Sequence, residues 1–291
     1  HTWYFHFEQF TPRSEIIPLP HWFTSYLQRD QIFVRDDDDA HGAVGRSVRR
    51  ALARLGGVAF AKLNWSSPKD ASFMKHQAGG ALRCTSTRDV YLYLKSSAVA
   101  MHDIGRMARV DDCVGEARVP LPERTRSGSH GGGMVLVLRK WCTLSPAMEF
   151  RCFVVRNSLV AMCQRHCAHY YPFLAKERRA PGPGVGMGVR YLVTNFWERV
   201  VHRRFGARSY SMDVYVDRRR RVWILGFGVL GPPMDPLLFT WDEIAAAACS
   251  DNAVSGGGAR RCELRVVESR ANSKREVSAR VPLCPCVCPC V

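Results

Sequence analysis

Long apolar runs are missing from this chain. No stretch approaches the ~20 residues that a membrane-spanning helix needs, so no spanning segment and no membrane partner are expected. The first residues lack the basic-then-apolar order of a signal peptide, so none is read there. Acidic residues are scarce: 26 Asp and Glu face 42 Lys and Arg, for a formal charge of +16. That excess invites a nucleic-acid reading, but the basic residues are spread along the chain and no DNA or RNA signature accompanies them. An acidic run at Asp36-Asp37-Asp38-Asp39 also carries the opposite sign. The balance suits acidic partners, with no direct nucleic-acid binding expected. No internal repeat is visible. Cysteine is plentiful, at twelve, but a disulfide framework is lacking. Four cysteines crowd into Cys284, Cys286, Cys288 and Cys290, and the rest are scattered singly. Reduced thiols in a cytoplasmic protein are the simplest account.

What is present is core-forming material. With 291 residues, 46% of them hydrophobic, the chain can bury one large core or two smaller ones. Val44 to Leu55 is loosely amphipathic and runs into Gly56-Gly57, which reads as a helix with a C-terminal stop. Val90 to Leu94 alternates and reads as a strand ending at Lys95, and Ile32-Phe33-Val34 as another. Further strands are expected at Met134–Leu138, Phe150–Val155, Leu159–Met162, Ser211–Asp217 and Val222–Val229. Leu192–Phe205 has helical spacing, and Thr240 caps a helix over Trp241–Ala248. The hairpin-like pairs point to antiparallel sheets with helices on one face, an α+β class with two lobes facing a cleft. One domain over 1–248 is expected, with lobes at about 1–138 and 142–248 joined by a hinge at 139–141. From 249 to 291 the composition turns Gly-, Ser- and charge-rich, and little fixed structure is expected.

The segment from Lys62 to Ala71 has an unusual inventory: two ammonium groups, a carboxamide, two hydroxyls and the indole of Trp65. A surface receiving a phosphorylated ligand needs donors, fixed charge and a flat apolar wall. A surface turn with a buried Trp answers the same residues. Lys95, followed by Ser96-Ser97, ends a strand as Lys62 does, and two such lysines on one sheet could grip a polyphosphate. Leu136 to Trp141 turns from apolar to cationic and aromatic, so its backbone could read an adenine edge while Trp141 walls the ring. Glu149 and Arg151 share a strand face opposite Phe150, lining the cleft or forming an ion pair. If Arg218–Arg221 is the turn of the last hairpin, Asp217 faces Val222, Asp213 faces Gly226, and Ser211 faces position 228.

Together these motifs resemble the cell division cycle protein 123 family, which has the ATP-grasp fold. The resemblance runs from Trp3 to about Ile244. It is carried by Lys62–Ala71, Leu94-Lys95-Ser96-Ser97, Leu136–Trp141, Glu149–Val154, Gln164-Arg165, Tyr170-Tyr171, Asp213-Val214-Tyr215 and Leu237–Trp241. It implies binding of ATP and Mg²⁺, and work as an assembly factor, a chaperone, for eukaryotic translation initiation factor 2 through its gamma subunit. It places Lys62 and Lys95 on the phosphates, with Trp65 and Ser97 counted beside them. Val137, Leu138, Arg139, Lys140 and Trp141 would form the adenine-side hinge. Glu149, Arg151 and Gln164 would line the nucleotide, and Asp213 would bind the metal. The family's Asp-Phe-Asn-Pro is here Gly226-Phe227-Gly228-Val229, so two expected metal ligands are absent, and its Gln-Arg-Asp is Gln164-Arg165-His166. Little benefit from Mg²⁺ and negligible hydrolysis are therefore expected. The alternative, an ATP-grasp ligase joining a carboxylate to an amine, needs the full metal site, and the two glycines count against it. Cys163, His166, Cys167 and His169 have near-zinc spacing, read as coincidence because they overlap the Gln164-Arg165 motif.

Overall fold

A computed structural model describes residues 2–29, 42–64, 66–74, 81–112, 133–180, 187–232, 234–250 and 262–269. Ile32–Val34, Asp36–Asp39, Trp65 and the terminal cysteines lie outside the described residues. The chain divides into two compact units, one built on Pro12–Cys142 and the other on Trp3–Thr11 with Thr143–Pro289. The short helix α1 (Tyr4–Phe7) thus belongs with the second unit rather than with the first lobe.

The first unit holds a four-stranded sheet in the order β1-β4-β2-β3, from β1 (Ser14–Pro18), β2 (Ala59–Lys62), β3 (Arg83–Cys84) and β4 (Val135–Lys140). Every pairing is antiparallel. Leu136 and Leu138 lie opposite Ile17 and Ala61, and this face packs against helices α2 (His21–Gln28), α3 (Gly42–Arg54) and α4 (Thr87–Lys95). The alternation therefore sends Lys62, Val137 and Arg139 to the other face. Helix α3 ends as expected, with Gly56 and Gly57 both at positive φ, where a Cβ would be strained.

Helix α4 corrects the strand expected at Val90–Leu94. Five alternating residues fit either period; the helix buries Thr87, Val90, Tyr91 and Leu94 at helical spacing, and Tyr93 with them, which strict alternation with Val90, Leu92 and Leu94 inward would have turned out. Its start is a capping box: Ser86 Oγ accepts the Asp89 N–H, and Asp89 Oδ2 accepts the Ser86 N–H. Helix α5 (Ala98–Asp112) follows at once.

The second unit holds five strands in the order β8-β7-β5-β6-β9. They are β5 (Glu149–Val155), β6 (Ser158–Gln164), β7 (Tyr210–Val216), β8 (Val222–Gly228) and β9 (Glu263–Arg265). Arg156 and Asn157 both have positive φ, which gives the two-residue turn that matches the twist of a hairpin. Helices α6 (Pro172–Arg179) and α7 (Val189–Phe196), with a π-helix at Trp197–Val201, serve one face of the sheet, around Phe150, Met162 and Val214. Helix α8 (Trp241–Ser250) covers Phe153 and Ala161 on the other. Helices on both faces correct the one-face expectation for this unit, while the α+β class stands. Strand β9 is a second correction. It pairs parallel to β6 and buries Cys262, Leu264, Val266 and Val267, so 262–269 is fixed structure within the region expected to have little.

In the last hairpin, Asp213 pairs with Gly226 and Ser211 with Gly228, as the turn arithmetic requires. A bulge between Asp213 and Val214 shifts the rest by one, so that Val216 rather than Asp217 meets Val222. Thr240 caps α8 reciprocally with Glu243.

Candidate functional site

The polar residues of Lys62–Ala71 mostly clamp their own loop. Asn64 Oδ1 accepts the Val135 N–H at 2.6 Å, and its Nδ2 donates to the Gly133 carbonyl. Ser66 donates through its N–H and Oγ to the two carboxylate oxygens of Asp103, at 2.8 and 3.1 Å. Burial pushes the Asp103 carboxyl up, against these two hydrogen bonds and the nearby charges of His102 and Lys62. Asp70 accepts from Ser97 Oγ at 2.6 Å and from the Val99 N–H. Ser97 Oγ in turn accepts the Ala100 N–H, so this serine caps α5 and lies fully buried.

Lys95 has a similar local duty. At the end of α4, its ammonium donates to the carbonyls of Tyr26 and Arg29 at 2.7 and 3.2 Å and sits 4.2 Å from the Tyr26 ring centroid. Burial first, then Arg29, pushes its pKa down. The expected pair of strand-end lysines does not form, because α4 packs on the sheet face opposite Lys62.

The hinge strand is similarly occupied. Strand β4 is central, flanked by β1 and β2. The Lys140 N–H donates to the Arg13 carbonyl and the Trp141 N–H to that of Val58, so neither of these N–H groups is open to an adenine edge. Leu138 lies fully buried in the helix-covered core, while Val137 and Arg139 face away from it. Lys140 is exposed and Trp141 half-buried.

The second unit gathers charge more tightly. Arg151 and Asp213 are cross-strand partners, and the guanidinium grips the carboxylate at both oxygens, at 2.8 and 3.0 Å. Arg165 Nε donates to Asp213 Oδ2 at 3.1 Å, while its Nη1 reaches Glu149 at 2.8 Å. Arg151 also donates to the Asp235 carbonyl. Two carboxylates and two guanidiniums cancel. The Arg165 pKa is raised by Asp213 first, burial opposing and Glu149 adding. Arg165 is the functional candidate that sequence reasoning passed over. Hairpin arithmetic could have found it, since Phe150 pairs with Gln164 and the next residues outward are Glu149 and Arg165.

Gln164 does not join this cluster. It shares the Phe150 face, opposite Arg151, and is fully buried. Its Nε2 donates to the carbonyls of His166 and His169, both at 2.6 Å, and its Oε1 accepts the Val267 N–H. Beyond it, His166 Nδ1 meets the Tyr171 hydroxyl at 2.6 Å, and the two histidine rings stack at 4.1 Å. Cys163 belongs to the α8-side core, and the Cys167 thiol donates to the Gln164 carbonyl. The zinc-like spacing thus has separate packing duties.

Asp213 does not fit the Mg²⁺ role that the resemblance assigned to it. Both of its oxygens accept from arginines, and neither Gly226 opposite it nor Gly228, opposite Ser211, offers a side-chain ligand. A hard cation needs carboxylate or other oxygen donors, and here guanidiniums stand where it would. Among the described residues no group of three or more His, Cys, Asp or Glu could hold a metal.

The D123 family profile matches residues 3–44 and 40–283. A Xenopus laevis protein named translation initiation factor eIF2 assembly protein is 31% identical over 281 residues, covering 85% of this chain and 76% of its own. A Dictyostelium discoideum protein of the same name is 35% identical over 201 residues, 69% of this chain but only 46% of that protein. The chain therefore spans less than half the length of that relative. The structure of Cdc123 from Schizosaccharomyces pombe is 30% identical and superimposes with a TM-score of 0.66, covering 91% of this chain and 92% of that one. No helix among the described residues is long and apolar enough to cross a membrane. With a profile match over nearly all of its length and relatives above 30% identity, this chain belongs to the D123 family.

Proposed function

We propose that this chain is an ATP-binding assembly factor for eukaryotic translation initiation factor 2, working in the cytoplasm through contact with the gamma subunit. The observation that carries this reading is the family match over residues 3–44 and 40–283, shared with relatives that bear the assembly-protein name. The ATP-grasp character and the nucleotide come from the same resemblance. In the second unit, Arg165 is the group best suited to meet a phosphate. Its side chain is 31% exposed against 8% for Arg151, so it can exchange a carboxylate oxygen for a phosphate oxygen at lower desolvation cost. The nucleotide binds without drawing on Mg²⁺, since Asp213 is engaged by two guanidiniums. That same engagement speaks against the ligase reading, which needs metal to spread charge developing on the phosphates.

A tagged full chain, expressed in eukaryotic cells and recovered from lysate, should retain the initiation factor with its gamma subunit. Calorimetry should show ATP binding in chelator. Recovery of RNA without the initiation factor, lost steeply with salt, would replace this reading with a nucleic-acid one.

A further inference from the structure

Six arginines of the second unit each hold a carboxylate: Arg151, Arg165, Arg178, Arg220, Arg221 and Arg265. A second group does not. Arg199, Arg203, Arg204 and Arg208 are exposed along the π-helix and the chain after it, and Arg156 is joined to them at the tip of the β5–β6 hairpin. The Arg156 N–H donates to Ser209 Oγ at 3.0 Å, and the Asn157 N–H donates to the Arg208 carbonyl at 2.7 Å. None of these five side chains forms an ion pair or a hydrogen bond within the described residues. Arg204 alone has a ring contact, 5.8 Å from the centroid of Phe10. Positive ends of side chains are welcome at a helix C-terminus, but that effect fades within the last turn and does not extend to Arg208 or Arg156.

The backbone that displays them is firmly held. The His202 N–H bonds to the Trp197 carbonyl at 2.8 Å, the five-residue step of a π-turn, a feature often found at functional sites. Trp197 Nε1 donates to the Tyr210 hydroxyl at 2.9 Å in the core. Phe205 stacks on Phe227 with ring centroids 4.0 Å apart and planes 10° from parallel. Guanidiniums on such a frame bind with less ordering cost than they would on a mobile tail.

We infer that this arginine surface docks an acidic segment of a protein partner. The claim goes beyond the proposed function and does not depend on it. Each guanidinium offers a planar fork to a carboxylate, and five like charges with no internal counterion favour a chain of acids over an isolated one. Single-stranded RNA is the weaker fit. Its binders stack bases on exposed rings, whereas here Phe205 is stacked on Phe227, Trp197 is bonded inward and Phe10 lies under Arg204.

The test measures fluorescence anisotropy of a labelled oligoglutamate peptide and of a labelled oligouridylate against the full chain, at low and at physiological salt. The peptide should bind, and the triple variant Arg199→Glu, Arg203→Glu, Arg208→Glu should weaken it by about tenfold or more. A charge-matched triple, Arg46→Glu, Arg50→Glu, Lys176→Glu, should cost much less. Where the first triple fails to fold, as judged by circular dichroism, the same three positions changed to Gln carry the test. No peptide binding, equal losses in the two triples, or tighter binding of the RNA than of the peptide would each overturn the assignment.

Discussion

Gln164 Oε1 accepts the backbone N–H of Val267 at 3.1 Å, joining residues 103 apart in sequence. Through Nε2 the same side chain holds the His166 and His169 carbonyls, so one buried amide ties β9 to the turn that carries Arg165. A residue that the family resemblance assigns to the nucleotide is thus a structural splice, one position away from the charged cluster.

Truncating it should loosen both ends of that splice. Gln164→Ala leaves a buried N–H and two carbonyls without this partner, a loss of about 1–3 kcal/mol. Amide exchange should speed up over 262–269 and over 165–171 together, with a lower urea midpoint. Unchanged protection in either segment would contradict the splice.

Lys95 should prove a stability residue. Its ammonium bonds two carbonyls at the end of α2, and charged hydrogen bonds of this kind contribute about 1.5–3 kcal/mol each. Lys95→Met should lower the unfolding free energy by ~2 kcal/mol while leaving the ATP affinity of the folded protein nearly unchanged. A calorimetric loss of about tenfold or more in ATP binding, in a variant as stable as the parent, would return Lys95 to the phosphates.

Much of the fold was legible because its signals are local. Gly56-Gly57 stops a helix, Arg156-Asn157 turns a hairpin, and Thr240 caps α8 with Glu243. The register that sets Asp213 against Gly226 agrees with the count back from a four-residue turn only because the bulge after Asp213 offsets the one-residue error at Asp217. Misreadings came where local signals compete or where the deciding partner is distant. Val90–Leu94 fits two periods over five residues, and the Ser86–Asp89 capping box was the clue that settles it. Strand β9 follows a Gly-rich stretch, and partners distant in sequence make it a strand: the edge of β6 and the core that buries Leu264. For the candidate site, residue types were legible but their partners were not. Asn64, Ser66, Asp70 and Ser97 look like ligand groups until Val135, Asp103 and the start of α5 claim them.

Asp217 should make stability fall in acid. Burial raises its carboxyl, but the Arg221 N–H, the Trp223 indole and the Arg221 guanidinium outweigh it and hold the group below the usual carboxylate value. A depressed folded value means that the stabilisation is complete above about pH 4, the unfolded value, and is lost as pH falls through the folded one. Asp217→Asn should flatten the decline of the melting temperature below about pH 4 and lower it at neutral pH. A variant whose acid decline matches the parent's would remove Asp217 from this role.

The last expectation concerns metal. With both Asp213 oxygens on Arg151 and Arg165, ATP should bind about equally well in Mg²⁺ and in chelator. The two glycines of the facing strand are not equivalent. A Cβ at Gly226 meets nothing within 4 Å, so Gly226→Asp has room beside Asp213. It would set three carboxylates against two guanidiniums, and the surplus negative charge should draw in a cation. Gly228 is tighter, because its Cβ would meet Ser211 Oγ at 2.9 Å. Gly228→Asn must turn that hydroxyl aside and should cost about 1 kcal/mol of stability. Gly226→Asp alone should therefore gain Mg²⁺-dependent ATP binding, measured by calorimetry in Mg²⁺ against chelator. If the unaltered chain already binds ATP about tenfold or more tightly with Mg²⁺, the guanidiniums must release Asp213 on binding, or Asp235 must supply a ligand. The closed carboxylate would then not be the state that meets the nucleotide.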